Sequence, residues 1–215
     1  MPAPLQIQVP PSAPARLVVL ASGTGSLLQA LLDAAAGDYP ARVVAVGVDR
    51  DCRAARIAAE AGLPVFTVRL GDYPERSGWD AAMAEATGRH TPDLIVSAGF
   101  MKILGPGFLA RFQGRVVNTH PALLPSFPGT HAVADALDYG VRVSGCTVHL
   151  VDAGTDTGPI LAQQAIEVRD DDTVETLHER IKVAERRLLV EVLAGLARHG
   201  LTWHGRKATL GMVEV

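Results

Sequence analysis

The sequence predicts an α/β fold with a mostly parallel central sheet flanked by helices and closed by one long C-terminal helix. Three observations carry that expectation. Short β-branched runs alternate with helical stretches across residues 17–120, the pattern left by parallel strands joined through crossover helices. Residues 17–20 are apolar without interruption, as in a strand buried within a sheet. Leu177, Ile181, Leu188 and Val192 recur at helical spacing within residues 172–199.

The elements follow in order. After a Pro- and Ala-rich start, residues 1–15, read as a flexible leader, the strand at 17–20 meets a glycine turn. Leu27, Leu28, Leu31, Leu32 and Ala35 then mark a helix that Gly37 can stop. Residues 42–48 predict a second strand, 52–61 an alanine-rich helix ended by Gly62, and 64–68 a short third strand. A helix at 79–88, a strand at 93–98, a short helix at 108–112 and a strand at 115–120 continue the rhythm. Residues 121–130 carry Pro121, Pro125 and Pro128, which limit backbone freedom and predict a fixed loop able to shape a site. A helix at 131–139, a strand at 145–151, a turn-rich loop at 152–159 and a strand at 160–168 come next. The long helix is expected to start at Asp172 as N-cap, with Glu175 three residues on, and to reach about residue 199. Residues 201–215 read as a strand or an ordered end.

At 215 residues, 48% hydrophobic and 20% charged, the chain suits one globular domain, residues 16–215. A net charge of -3 gives no broad reason to bind nucleic acid, and the first residues lack the pattern of a signal peptide or membrane anchor. The expected setting is the cytoplasm. Cys52 and Cys146 have neither CxxC nor metal-ligand spacing and read as reduced, structural thiols, so no metal is expected.

The turn Ser22-Gly-Thr-Gly-Ser26 lies between strand and helix, where free N–H groups and the helix dipole can hold a phosphate. A dinucleotide fingerprint is the rival, supported by Asp49 at the end of the next strand; against it, Leu28 occupies the third glycine position. A tight turn that binds nothing is the plain alternative.

In Val116-Val-Asn-Thr-His-Pro121 the strand period of two puts Asn118 and His120 on one face, and Pro121 keeps His120 extended at the strand's carboxyl end, where open α/β sheets bind ligands. An amide donor beside an imidazole can stabilise an oxyanion and move a proton. A pair that only caps backbone groups is the alternative. Asp156 lies in a loop where acids often do no more than make turns.

Taken together, the segments Ser22-Gly-Thr-Gly-Ser26, Ala98-Gly-Phe-Met-Lys-Ile-Leu104, Asn118-Thr-His-Pro-Ala-Leu-Leu-Pro125, Phe127-Pro-Gly129, Gly145-Cys-Thr-Val-His149 and Asp156-Thr-Gly-Pro159 resemble the glycinamide ribonucleotide formyltransferase family, over nearly everything from residue 17 to about residue 193. The resemblance implies a Rossmann-like formyltransferase fold and transfer of the formyl group of 10-formyltetrahydrofolate to the amine of a ribonucleotide in purine synthesis. It implies Asn118, His120 and Asp156 as the catalytic group, with Gly25, Ser26 and Leu27 on the phosphate and Glu185 near the ribose or glycinamide end. For the folate it implies Arg76, Met101, Lys102, Ile103 and Leu104, together with Asn118, Asp152 and Asp156. Leu27 stands where the family often has Asn, so backbone N–H groups replace a side-chain contact. His149 matches a family motif and supports the site from a neighbouring strand, while His131, His178 and His199 read as structural.

The expected partners are small molecules, with a homodimer left open and neither nucleic acid nor membrane involved. The alternatives are a formyltetrahydrofolate hydrolase or another formyltransferase, a non-catalytic folate or nucleotide binder, and an NAD-dependent oxidoreductase. Related hydrolases and methionyl-tRNA formyltransferases usually bring an extra domain, which favours the small-molecule acceptor. The presence of Asn118, His120 and Asp156 together speaks against a mere binder.

Overall fold

The computed structural model describes residues 5–7 and 14–210. Ten strands form one sheet in the order β1-β9-β10-β8-β7-β6-β5-β2-β3-β4. They are β1 (Leu5–Ile7), β2 (Ala15–Ala21), β3 (Ala41–Val48), β4 (Val65–Thr67), β5 (Leu94–Ser97), β6 (Val116–His120), β7 (Val143–Leu150), β8 (Ile160–Glu167), β9 (Leu201–His204) and β10 (Lys207–Leu210). The helices are α1 (Ser26–Ala34), α2 (Arg53–Glu60), α3 (Arg76–Gly88), α4 (Pro106–Arg111), α5 (Ala132–Tyr139) and α6 (Val174–His199).

Pairing is parallel from β4 through β3, β2 and β5 to β6, and antiparallel from β6 through β7 to β8. The expected α/β fold with a mostly parallel sheet and a long C-terminal helix is therefore present. Alternation along β2 explains how one strand serves two cores. Leu17, Val19 and Ala21 join Leu28, Leu31, Leu177, Ile181 and Leu189 in one cluster, packed by α1, α2 and α6. Val18 and Leu20 join Trp79, Met83, Phe108 and Phe112 in the other, packed by α3 and α4.

Three expectations, on the leader, the α6 cap and the start of α3, are corrected, and the strand expected at the end of the chain is made specific. The leader contains β1, which pairs antiparallel with β9 through Leu5 and Trp203; its residues 1–4 and 8–13 lie outside the described residues. The end of the chain contributes the hairpin β9–β10, joined to β8 through Lys207 and Ile160, with residues 211–215 outside the description. The N-cap of α6 is Thr173, not Asp172: Thr173 and Thr176 form a reciprocal capping box, with Thr176 taking the third position in place of Glu175. Asp172 instead accepts from Arg180, at 2.6 Å and 2.5 Å, and from the Thr176 hydroxyl at 2.9 Å. Helix α3 also starts earlier than expected, at Arg76, because Gly78 in its first turn does not stop it.

The strand order reverses at β2, whose neighbours β3 and β5 lie on opposite sides. The loops after β2 and β5 therefore part at their carboxyl ends and leave a crevice.

Candidate active site

A cavity of about 500 Å³ opens at this crevice. It is lined by the glycine turn after β2, residues 97–104 from the end of β5, the end of β6, Val151, Asp152 and residues 154–156 after β7, and one face of α6. All the expected site residues line it except Arg76. Arg76 lies behind the wall: its guanidinium donates to the Ile103 carbonyl and sits 5.2 Å from the Trp79 ring centre, so it braces residues 101–104 from outside. Met101 and Ile103 are 62% and 70% exposed, an apolar rim with no core to explain it, whereas Leu104 is buried.

The register of β6 against β7 sets Asn118 opposite His149 and His120 opposite Thr147. Cross-strand neighbours of this kind are within side-chain reach. The Nδ1 of His149 is 2.9 Å from the Leu150 carbonyl, which can only accept, so Nδ1 carries the proton. Its Nε2 is then free to accept from the Asn118 amide at 3.2 Å. Burial holds the His149 ring below the ordinary histidine range, with the Asp156 charge and the Leu150 carbonyl acting in the opposite direction. A neutral His149 thus fixes the Asn118 amide by one N–H and leaves the other available.

His120, 4% exposed, is held from both sides. Its Nε2 donates to the Phe127 carbonyl at 2.7 Å, and its Nδ1 faces Asp156 Oδ2 at 3.3 Å. The same Oδ2 accepts the Gly129 N–H at 2.8 Å, while Oδ1 lies 3.7 Å from His149 Nε2. Asn118 with His149, and His120 with Asp156, form two polar pairs that lie side by side across three elements. Phe127 and Asp156 adopt φ of 53° and 54°, two of three such non-glycine residues among those described. For Asp that region is tolerated; for Phe it costs about 1–2 kcal/mol. The ring of Phe127 meets Tyr139 edge-on at 5.9 Å, a contact worth about 0.5–1.5 kcal/mol.

At the other end of the cavity, α1 begins at Gly25 (φ 75°) with no side chain capping it. The first intrahelical bond runs from Gln29 N to the Gly25 carbonyl, so the N–H groups of Ser26, Leu27 and Leu28 have no partner within the helix. Across from them α6 presents His178, Lys182 and Glu185. Glu185 is 7% exposed, and burial holds its carboxyl above the usual glutamate value, with Thr119, Lys182 and Arg186 offsetting part of the rise. His178 had read as structural and Lys182 was not singled out. The spacing 178, 182, 185 puts all three on one helix face and was the signal that could have found them.

Asp49 does not line the cavity. Burial alone would raise its carboxyl, but Arg50 at 2.8 Å, Ser22 and Lys102 at 3.7 Å outweigh that and hold it below the ordinary value. A carboxylate so engaged is poorly placed to take a ribose hydroxyl, which weakens the dinucleotide reading. Leu28 is fully buried where the fingerprint needs a glycine. Cys52 and Cys146 are free thiols, the latter pushed up to about 12, chiefly by burial.

Comparison with known proteins agrees with the fold. The family described as formyl transferase matches residues 15–193. A phosphoribosylglycinamide formyltransferase of Mycobacterium tuberculosis is 75% identical over 205 residues, 95% of each chain. The structure of glycinamide ribonucleotide transformylase 1 from Symbiobacterium toebii aligns with a TM-score of 0.89 at 41% identity, covering 92% of this chain and 94% of that one. A formyltetrahydrofolate deformylase from Pseudomonas syringae aligns at 0.85 with 25% identity, over 94% of this chain and 67% of its own. The chain therefore belongs to the formyl transferase family and, within it, to the phosphoribosylglycinamide formyltransferases.

Proposed function

We propose that the protein transfers the formyl group of 10-formyltetrahydrofolate to the primary amine of N1-(5-phospho-D-ribosyl)glycinamide. The observation that carries this reading is the meeting, in one cavity, of the Asn118–His149 and His120–Asp156 pairs with an uncapped helix N-terminus. The first suits acyl transfer and the second an anion.

In the reaction the amine nitrogen attacks the formyl carbon, its carbonyl oxygen takes up negative charge, and the bond from that carbon to the folate nitrogen breaks. The net proton movement is from the amine to the departing folate nitrogen. The free N–H of Asn118 and the Nε2–H of His120 serve the oxyanion, His120 passes a proton toward the leaving nitrogen, and Asp156 orients the ring. The N–H groups of Ser26 and Leu27, with the Gly25 turn, take the phosphate, and Lys182 adds positive charge. Glu185 takes the ribose or glycinamide end. Met101, Lys102, Ile103, Leu104 and Asp152 flank the folate, with Arg76 holding their loop from behind. Residues 16–215 as one domain, a cytoplasmic setting and a homodimer as the open assembly go with the reading. No described helix is long and apolar enough to cross a membrane.

The test is one assay with 10-formyltetrahydrofolate, run with and without the ribonucleotide, following tetrahydrofolate release. Release only with the ribonucleotide supports the reading. The likeness to a deformylase makes water the competing acceptor, and release without ribonucleotide would point there; no release in either case would mean a binder or a different acceptor.

A further inference from the structure

Both ring nitrogens of His120 face atoms that only accept: the Phe127 carbonyl at 2.7 Å and Asp156 Oδ2 at 3.3 Å. A neutral imidazole can satisfy one of them, so both contacts are hydrogen bonds only when the ring carries two protons. The Nε2 proton assigned above to the reacting substrate is therefore bound, in the resting protein, to a backbone carbonyl of the proline-rich loop.

That carbonyl belongs to Phe127, whose φ of 53° is unfavourable for a bulky side chain. The loop is fixed on both sides of Phe127: Leu124 N donates to the Thr147 hydroxyl at 3.0 Å and Gln163 to the Leu124 carbonyl at 2.8 Å, and Gly129 N donates to Asp156 at 2.8 Å. Beyond Leu124 the aromatic contact that meets Phe127 is Tyr139, on α5 and 79% exposed. Its contact is comparable in size with the backbone cost it offsets, and strained conformations persist only where the surroundings over-determine them.

We infer that Phe127 and Tyr139 are positioning residues for His120: the surface ring of Tyr139 holds Phe127 in its strained turn, so that the Phe127 carbonyl orients the imidazole and keeps its Nε2 proton ready for the substrate. The inference rests on the formyl-transfer reading for the destination of that proton, but not for the hold on the ring. It gives an exposed tyrosine, away from the cavity lining, a defined effect on chemistry.

The experiment compares wild type, Tyr139→Ala, Tyr139→Phe, Phe127→Ala and the double Ala variant. Tyr139→Ala is expected to lower kcat three- to tenfold, as misplacement of a catalytic group does, with KM for both substrates within twofold. Tyr139→Phe keeps the ring and restores kcat. The double variant loses no more than the larger single loss, since the two side chains act as one unit. Substrate-free long-range 1H–15N spectra of the histidine rings are expected to show a protonated Nε2 on His120 in wild type and in Tyr139→Phe, and faster exchange of that proton in Tyr139→Ala. Unchanged His120 signals in Tyr139→Ala overturn the inference even if no acceptor is ever found, and an unchanged kcat in an active enzyme overturns it as well. An inactive wild type with the expected spectra sinks the formyl-transfer reading alone.

Discussion

At the residue scale, His149 ties stability to pH. Its folded value lies below the ordinary 6.5 because burial disfavours the charged ring. Above pH 6.5 the ring is neutral in folded and unfolded chains alike, and its contribution is intact. As pH falls below that value the unfolded chain takes up the proton first, so stability is lost until the folded value is passed. The urea midpoint of wild type should therefore drop more than that of His149→Gln between about pH 7.5 and about pH 5.5; parallel drops would contradict the assignment. Glu185 makes a prediction about binding: Glu185→Gln keeps shape but not charge, and should raise KM for the ribonucleotide roughly tenfold while leaving KM for the folate unchanged. Asn118 and His120 were readable as a pair because strand period alone puts them on one face. Asp156 was not, because its place beside His120 depends on two loops folding together, a non-local fact that only family motifs encoded. Arg76 was placed near the folate only by the resemblance, and its seat behind Ile103, off the cavity lining, follows from where α3 starts.

At the element scale, the turn into α1 rests on a glycine. A Cβ on Gly25 would lie 2.9 Å from both Ala54 Cα and Ile57 Cδ1, at a φ that side chains avoid. Gly25→Ala should lose about 2–4 kcal/mol in urea unfolding, from strain and overpacking together, and should bind ribonucleotide poorly at temperatures where it is still folded. The start of α6 gives a smaller test: Thr173→Ala should cost about 1 kcal/mol by loss of its cap. The strands of the parallel half were legible because strands buried on both faces, such as β2 and β5, leave unbroken apolar runs. β9 and β10 were legible only as a strand or an ordered end: each has four residues, and their pairing is decided by partners far off in the chain. The cap of α6 was misplaced by one residue because Asp172 and Thr173 are both good caps, and it is Arg180 that claims the aspartate.

At the scale of the whole molecule, the site belongs to no single element. The reversal of strand order at β2 opens the crevice, β7 running antiparallel to β6 brings His149 beside Asn118, and α6 closes the far side with Lys182 and Glu185. If residues 16–215 are one domain, as proposed, fluorescence and circular dichroism should report a single coincident unfolding transition in urea. In the proposed mechanism the His120–Asp156 pair, with Asn118 beside it, performs the transfer. Its most direct test is the kcat of Asp156→Asn, a change that keeps the side chain's size and an acceptor for the Gly129 N–H while removing the charge that faces His120. The expected result is a folded protein with kcat lowered on the order of 10² or more and both KM values near wild type; turnover close to wild type would contradict a catalytic role for the pair.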